Sequence, residues 1–373
     1  MSLSILLPGL TLGFFISLLI AYLLIKFGHR FKLIDTPNLR SSHHTPTPSG
    51  GGVSFVITFL ILFVISTFFD MGGFTLPSSV VTAILIGGGG VAIIGLWDDI
   101  HPLPIYFRIA VHVIATLIVL KLITVPTIPI GDNWNVEIGF PFVFISIIWL
   151  LNLFNFMDGI DGIVGVEVVT TLSMAIIILF AQSSMVPIIY WMALFIAAML
   201  GFLVWNWSPA KIFMGDAASV FSGFMVGVFI LITSVEETVN SGLNLWAWVI
   251  LLSVFIVDAS WTLIRRMVFC HERWWSAHRT HSYQLLVIQV SQYYQPLLNA
   301  NEMTVSEVRT KAHRTVSLGV AVINVVWLFP FAYLATIYPG WGLLFLMISM
   351  TPLLLISYRI NSSCSYSGDK VKS

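Results

Sequence analysis

Eleven stretches of this chain are long and apolar enough to cross a lipid bilayer as helices, and this feature restricts the fold more than any other. They lie at about residues 3–26, 50–69, 79–97, 105–124, 142–157, 162–181, 186–204, 217–235, 245–264, 315–336 and 340–358. The composition agrees, because 58% of the 373 residues are hydrophobic and only 9% are charged. In lipid, backbone polar groups have to pair with one another, as they do in helices. The sequence therefore predicts an all-α polytopic membrane protein with a single integral membrane domain over residues 1–373.

The basic residues predict how the chain is oriented in the membrane. Of the 17 Lys and Arg residues, all except Lys121 fall on one side of the predicted spans. The positive-inside rule makes that side cytoplasmic, so an odd number of spans places the N-terminus outside and the C-terminus in the cytoplasm. The longest cytoplasmic loop is predicted at residues 265–314. Cys270 and Cys364 both fall on the cytoplasmic side, so no disulfide is expected.

Polar residues interrupt the apolar pattern at the end of the fifth predicted span. Asn152, Asn155 and Asp158 follow one another at three-residue spacing and therefore project from neighbouring turns of one helix. Two glycines then end the helix on either side of Asp161. Because the helix dipole disfavours a carboxylate at a helix C-terminus, stability does not explain Asp158. The alternatives are an interfacial loop with solvated carboxylates and a site for a cation or a phosphate.

Other polar segments flank the predicted spans on the same side. They are the loop of residues 35–52 with Arg40, the pair Asp98 and Asp99, the turn with Asn206, Lys211 and Asp216, and the motif with His278, Arg279 and His281. Structural explanations exist for several of them: a connecting loop, a solvated aspartate pair, and a helix N-cap for Asp216. No Cys or Glu completes a zinc-like set with the His-x-x-His motif, which also encloses an arginine, so the motif favours binding of an anion over a metal.

One carboxylate, Asp258, falls inside a predicted span. A buried charge of this kind is costly unless it is paired. The expected partners are Arg265 and Arg266, which follow about two helical turns later.

Taken together, these segments predict one cytoplasmic site of mixed chemistry. Carboxylate and asparagine oxygens suit Mg²⁺, which shares its ligand shell with substrate phosphates. Arginine, lysine and histidine suit the phosphates themselves. This combination fits phosphoryl transfer between a nucleotide-linked substrate and a lipid acceptor. The alternative is a transporter or flippase for lipid-linked sugars, but transporters place polar groups near the membrane midplane, often in paired repeats.

The segments also resemble the motifs of a known family, the polyprenyl-phosphate N-acetylaminosugar-1-phosphate transferases of glycosyltransferase family 4. The motifs are D-T-P-N-x-R-S-S-H from Asp35, G-L-W-D-D ending at Asp99, N-x-x-N-F-M-D-G-I-D-G from Asn152, S-P-A-K-I-F-M-G-D-A-A-S from Ser208, and H-R-x-H from His278. This family includes the initiating enzymes of O-antigen and common-antigen synthesis and, more distantly, the peptidoglycan phospho-MurNAc-pentapeptide translocase.

The resemblance implies a reaction and its partners. It implies transfer of a sugar 1-phosphate from a UDP-N-acetylhexosamine to undecaprenyl phosphate, with release of UMP, as the first membrane step of a cell-envelope polysaccharide. The implied cofactor is Mg²⁺, with Mn²⁺ as an alternative ion. The implied location is the bacterial inner membrane, with the lipid bilayer and both substrates as partners and no nucleic acid. A homodimer is compatible with it.

The resemblance also implies roles for individual residues. Asn155 and Asp216 would be Mg²⁺ ligands, and Asp98 and Asp99 would be the catalytic pair at the lipid phosphate. A phosphate monoester has a second pKa of about 6, which favours positioning over general-base catalysis for Asp98. The residues expected to bind substrate are Arg40, Asn152, Asp158, Asp161, Asn206, Lys211, His278, Arg279 and His281, with Asp161 at the uracil edge and the last three at the diphosphate or the sugar.

The chain departs from the family pattern at one position. Many relatives carry a lysine eight residues after the first Asp of the pair, where this chain has Tyr106. Arg108 is the nearest basic residue. The cation that meets the phosphate is therefore open, and so is the identity of the UDP-sugar.

Overall fold

The computed structural model describes residues 3–31, 33–35, 46–69, 74–129, 135–137, 139–182, 187–235, 242–272, 279–300 and 302–361. In these ranges the chain forms sixteen α-helices: α1 Leu3–Phe27, α2 Val53–Phe68, α3 Ser78–Thr82, α4 Gly89–Ile100, α5 Ile105–Leu122, α6 Phe140–Met157, α7 Ile163–Ala181, α8 Pro187–Asn206, α9 Asp216–Thr233, α10 Leu245–Leu251, α11 Ser253–Ile264, α12 Ser282–Tyr293, α13 Gln295–Asn299, α14 Val305–Val322, α15 Phe329–Ile337 and α16 Gly342–Ile360. The π-helical segments Ala83–Gly88, Arg265–Phe269 and Ile323–Leu328 continue neighbouring α-helices.

Four short strands lie between the helices. β1, Ile34–Asp35, pairs antiparallel with β2, Thr47–Pro48. β3, Thr127–Pro129, pairs antiparallel with β4, Asn135–Glu137. These two-stranded ribbons close loops between apolar helices and form no larger sheet among the described residues.

The helices confirm the general class of the fold. Within the described residues, nine helical runs are long and apolar enough to cross a membrane, and they coincide with nine of the predicted stretches. The helix α2 is apolar but has only 16 residues. The run of α10, α11 and Arg265–Phe269 is long enough but is bent by 73°. All eleven predicted stretches are therefore helical in an all-α polytopic membrane protein, while the number of crossings and the orientation of the termini stay predictions.

Helix α9 occupies the centre of the bundle. In the 18-residue apolar stretch of α9, 89% is buried inside the protein, compared with 17% in the first and in the last spanning helical runs. Small residues permit this position, because a side chain at Gly223 would place its Cβ 2.6 Å from the carbonyl oxygen of Leu150 in α6. The first residue of α9 is Asp216. The packing therefore sets this carboxylate at the end of the bundle where α4 and α6 stop.

Two expectations from the sequence are wrong. Asp258 does not pair with the arginines that follow it; its oxygens accept hydrogen bonds from the backbone N–H groups of Ser282, at 2.7 Å, and Tyr283, at 2.9 Å. These amides lie at the start of α12, where the backbone has no helical partners of its own. The second wrong expectation is the absence of a disulfide, because Cys270 is disulfide-bonded.

Candidate active site

Three helices bring polar residues to one guanidinium group, that of Arg108 in the first turn of α5. Its Nη1 lies 2.8 Å from Oδ2 of Asp98, near the end of α4. Its Nη2 lies 2.8 Å from Oδ2 of Asp216, at the start of α9. The same Nη2 donates to Oδ1 of Asn155, near the end of α6, at 3.4 Å. The structure thus joins three of the predicted site residues, which are up to 118 positions apart in the sequence (216 − 98).

The turn between α4 and α5 explains how Arg108 reaches Asp98. Pro102 interrupts the helix after Ile100, and Pro104 is the N-cap residue of α5. The carboxylate of Asp98 accepts a hydrogen bond from the N–H of Leu103 at 2.6 Å, which holds the turn closed. The first turn of α5 therefore folds back beside the last turn of α4.

Asp99 has a different role from its neighbour. Its two oxygens accept hydrogen bonds from the N–H groups of Asp216, at 2.9 Å, and Ala217, at 3.3 Å. The N-cap position of α9 is Gly215, with a φ of 83°, and its missing side chain cannot supply a cap. Asp99 thus caps α9 from another helix. Asp216 is the first helical residue, so the interpretation of Asp216 as the N-cap is wrong.

Asn155 and Asp216 contact each other directly. Asn155 Nδ2 donates to Oδ1 of Asp216 at 2.8 Å and to the hydroxyl of Ser219 at 3.3 Å. Ser219 lies one helical turn after Asp216, so the contact ties α6 to the start of α9. The sequence analysis did not single out Ser219, although its place in the S-P-A-K-I-F-M-G-D-A-A-S motif was a usable signal.

The glycine-rich end of the loop at residues 35–52 lies beside the carboxylates. The N–H of Gly51 donates to the carbonyl of Phe213 at 2.8 Å, and the N–H of Gly52 donates to that of Met214 at 2.9 Å. A side chain on Gly215 would place its Cβ 2.7 Å from Oδ2 of Asp99 and 2.9 Å from the nitrogen of Gly50. Only glycine fits this contact. Arg40 lies outside the described residues.

The turn after α6 carries two carboxylates with opposite surroundings. Burial raises the pKa of Asp158 to about 8, and the nearby carboxylates of Asp216 and Asp99 add to this shift. Burial also acts on Asp161, but its contacts with His313 and Arg309 outweigh that effect and lower the pKa of Asp161. Asp158 therefore belongs to the same acidic cluster as Asp99 and Asp216. Asp161 is instead paired with the basic residues His313 and Arg309.

The partners of Asp161 come from α14 and from the turn after α8. Oδ2 lies 3.2 Å from Nδ1 of His313 and accepts a hydrogen bond from the N–H of Ala210, also at 3.2 Å. Oδ1 lies 3.7 Å from Arg309, and the backbone carbonyl accepts from Ser317 at 3.1 Å. Sequence reasoning missed these α14 residues. Their spacing of four residues, which places them on one helix face, was the available signal.

His281, the last residue of the H-R-x-H motif, is the N-cap residue of α12 and contacts Asp258. His281 is buried, and its Nδ1 lies 3.5 Å from Oδ1 of Asp258. Tyr283 is also buried, and its hydroxyl donates to the carbonyl of Phe156 at the end of α6, at 3.2 Å. Asp258 therefore positions the start of α12 against the turn that carries Asp158. Arg279 is exposed, and His278 lies outside the described residues.

Three other predicted site residues make local contacts. Asn152 donates to the carbonyl of Ile148 in its own helix at 2.7 Å. Asn206 is buried and connects Gly162, at 3.1 Å, with the carbonyl of Ile212, at 2.9 Å. The ammonium group of Lys211 lies 5.0 Å from the ring centre of Trp205. The substrate contacts expected of these residues stay predictions.

The donor set around Arg108 suits a divalent cation. Among the described residues, no group of three or more His, Cys, Asp or Glu is arranged to hold a metal. Mg²⁺ does not require one, because it commonly takes one or two carboxylates and completes its shell with water and phosphate oxygens. Oxygens of Asp216 and Asn155 already converge on one positively charged nitrogen, Nη2 of Arg108. The two predicted ligands therefore fit such an ion in kind and in proximity.

Comparison with known proteins agrees with this arrangement. The model of the family "Glycosyl transferase family 4" matches residues 81–234, a region that includes the carboxylates, Asn155 and Arg108. The chain is 25% identical over 273 residues to the "Probable undecaprenyl-phosphate N-acetylglucosaminyl 1-phosphate transferase" of Bacillus subtilis (strain 168), which covers 69% of this chain and 72% of the relative.

Two further relatives are similar to the chain. The chain is 26% identical over 267 residues to the "Undecaprenyl-phosphate alpha-N-acetylglucosaminyl 1-phosphate transferase" of Salmonella typhi, with 68% of this chain and 69% of the relative covered. It is 29% identical over 213 residues to the "Phospho-N-acetylmuramoyl-pentapeptide-transferase" of Streptococcus thermophilus (strain CNRZ 1066), with 52% of this chain and 60% of the relative covered. The motifs, the helical membrane fold and these matches together support a resemblance to glycosyl transferase family 4, whose model matches residues 81–234.

Proposed function

We propose that this protein transfers a sugar 1-phosphate from a UDP-N-acetylhexosamine to undecaprenyl phosphate. An oxygen of the lipid phosphate attacks the phosphorus atom that carries the sugar, and the bond from that phosphorus to the UMP oxygen breaks. UMP leaves, and the lipid carries the sugar through a diphosphate. The observation that carries this proposal is the meeting of Asp98, Asn155 and Asp216, from three helix ends, around one guanidinium. The names of the relatives support it.

The charges of the site support a bound cation. Asp98, Asp99, Asp158 and Asp216 lie near one another, and Arg108 is the basic residue that contacts two of them. Two anionic substrates would not enter such a site without further positive charge. We propose Mg²⁺, or Mn²⁺ in its place, held by Asp216 and Asn155. When bound, the ion would neutralise the phosphate charges, which is the main electrostatic requirement of phosphoryl transfer.

The two neighbouring carboxylates, Asp98 and Asp99, have different proposed roles. Asp98 is fixed by Leu103 and Arg108, so its role is to orient Arg108 and the lipid phosphate beside it. It need not remove a proton, because a phosphate monoester is largely dianionic at neutral pH. Asp99 holds the start of α9 and thereby the position of Asp216. Asp99 therefore acts as a positioning residue.

The surroundings of the site suit a lipid acceptor. Trp97 and Tyr106 flank the acidic cluster in sequence and expose 57% and 64% of their surfaces. Aromatic residues of this kind are enriched at the level of the lipid headgroups. The proposed location is the bacterial inner membrane with the site on the cytoplasmic side, where nucleotide sugars are made. No described contact favours transport of a lipid-linked sugar.

The proposed function is tested with purified protein, undecaprenyl phosphate, Mg²⁺ and a panel of radiolabelled UDP-N-acetylhexosamines. UMP release and labelled lipid should appear together and depend on the metal. Asp216→Asn should reduce turnover about a hundredfold, because it removes a charged metal ligand. Glu302→Gln is the matched control, because Glu302 is exposed on the connection before α14. Full turnover in EDTA, or in Asp216→Asn, would contradict the proposal.

A further inference from the structure

Arg108 is held firmly at one end and loosely at the other. Its partner Asp98 has a side chain only 9% exposed, and the second oxygen of that carboxylate is bound by the N–H of Leu103 at 2.6 Å. On the opposite side, the Asp216 side chain is 34% exposed and the contact with Asn155 is long, at 3.4 Å. Solvent screens this partly exposed ion pair more than the buried contact with Asp98, so it is the weaker of the two. The guanidinium can therefore leave Asp216 while it keeps Asp98.

The loosely held end stands where a divalent cation would bind. Nη2 of Arg108 contacts Oδ2 of Asp216 and Oδ1 of Asn155. Both atoms are oxygens of the two proposed Mg²⁺ ligands. A Mg²⁺ ion at about 2.0–2.1 Å from those oxygens would occupy the space of the guanidinium. It would also repel it, since both are cations. The metal and the Arg108–Asp216 pair therefore exclude each other.

We propose that Arg108 is an exchangeable cation, which holds Asp216 and Asn155 in the metal-free protein and is released to the substrate phosphates when a divalent cation binds. This inference rests on the proposed function for the identity of the phosphates, but not for the exchange itself. After release, Nη1 keeps its contact with Asp98, and the second nitrogen can turn toward a phosphate oxygen. The planar fork of arginine suits such two-point contacts, whereas a lysine ammonium would not bridge two carboxylates in this way.

The exchange has a consequence for ligand binding. Metal-free protein neutralises its own carboxylates through Arg108, so the acidic residues do not repel one another at full strength. Metal binding then adds its own charge and makes the guanidinium available. Binding of metal and of a nucleotide phosphate should therefore be cooperative, and part of this cooperativity should depend on Arg108.

The first test measures metal binding without any reaction. Mn²⁺ is titrated into detergent-purified protein, and free Mn²⁺ is followed by its paramagnetic resonance signal. Arg108→Gln should bind Mn²⁺ about fivefold more tightly than the wild type, because the competing cation is gone. Lys121→Gln, at the far end of the same helix, also loses one positive charge and should bind Mn²⁺ like the wild type.

The second test follows the guanidinium itself. Phenylglyoxal labelling of Arg108, read by peptide mass spectrometry, should become faster when Mn²⁺ is added and slower again when UMP is added. Arg359 is exposed at the end of α16 and serves as the internal control, with a rate that Mn²⁺ does not change. In Arg108→Gln, Mn²⁺ should strengthen UMP binding less than it does in the wild type.

Each result bears on the proposal in one direction. If Mn²⁺ does not bind, if Arg108→Gln binds it no more tightly than Lys121→Gln, or if labelling of Arg108 is not accelerated by Mn²⁺, the exchange is wrong. Failure of the proposed function is distinguishable from failure of the exchange. In that case no UMP would be released from any UDP-sugar, while Mn²⁺ binding and the labelling of Arg108 would still behave as expected.

Discussion

Adjacent residues of the same type can have unrelated roles, and Asp98 and Asp99 are an example. Asp98 binds the Arg108 guanidinium, and Asp99 caps helix α9 through two backbone amides. Successive residues of a helix point about 100° apart, so the two carboxylates face different neighbours. The sequence predicts both as catalytic, and this role stays a prediction. The structure adds that Asp98 is the member of the pair that contacts the guanidinium, while Asp99 contacts the backbone amides of Asp216 and Ala217.

The pKa of Asp158 predicts how pH affects the metal-free protein. Burial, with help from neighbouring carboxylates, raises this pKa from 3.8 to about 8 in the folded state. The protonated form is therefore favoured by folding, and its contribution to stability is full below pH 3.8 and is lost as the pH rises through about 8. In EDTA, the unfolding temperature of the wild type should fall as the pH rises from about 4 to about 8, and this contribution should level off above pH 8.

Asp158→Asn should show a smaller fall, since the amide does not ionise. Thermal unfolding in detergent at a series of pH values measures the effect, with Glu302→Gln expected to keep the wild-type slope. Equal slopes for the wild type and Asp158→Asn would show that Asp158 is not the group responsible.

At the scale of helices, the site depends on how closely α4 approaches α9. Gly95 allows this approach, because a Cβ at Gly95 would lie 2.8 Å from the backbone nitrogen of Ala217 and closer still to its Cα. The contact is one turn before Asp99, the residue that caps α9. The distance between the two helices therefore determines whether the cap and Asp216 can be placed together.

Gly95→Ala should force α4 and α9 apart and reduce both stability and activity. Overpacking of this kind costs about 1–3 kcal/mol. Gly90→Ala, in the same helix, is the matched control, because nothing lies within 4 Å of the Cβ position at Gly90. Unfolding temperature and UMP release measured for both variants provide the test. If Gly95→Ala behaved like Gly90→Ala, the close approach would not be needed.

At the scale of the whole molecule, Asp161 connects distant parts of the chain. It lies in the turn after α6, accepts from Ala210 after α8, and contacts His313 and Arg309 in α14. This side chain is only 4% exposed. Asp161 therefore holds the later helices against the two turns that carry the site.

Asp161→Asn should destabilise the protein by about 3 kcal/mol, because removal of one partner leaves buried basic groups uncompensated. Lys311→Gln is the control in the same helix; its ammonium lies 5.1 Å from the ring centre of Tyr294 and should contribute less than about 0.5 kcal/mol. Denaturant unfolding measures both. A loss of activity without a loss of stability would instead support the substrate role that the resemblance implies for Asp161.

Much of the fold and part of the site could be predicted. The apolar stretches were identified because apolar length is a local property, and their helical form is confirmed. The predicted grouping of Asp98, Asn155 and Asp216 is also found. The partners of Asp258 were not predictable, because its hydrogen-bond donors are backbone amides at the start of α12, and backbone positions carry no signal in the side-chain pattern.

The sequence by itself determined the membrane class, the places where helices end and the residue types available for phosphate chemistry, because each depends on residues that are close in the chain. Only the tertiary structure decided which oxygen faces which donor. It placed Arg108 between Asp98 and Asp216, assigned Asp99 to the start of α9, and turned Asp161 toward α14. Those contacts join residues that are up to 152 positions apart in the sequence. They are hydrogen bonds and ion pairs of about 3 Å, and they form only when the helices pack correctly. The spacing of residues along the chain does not determine that packing.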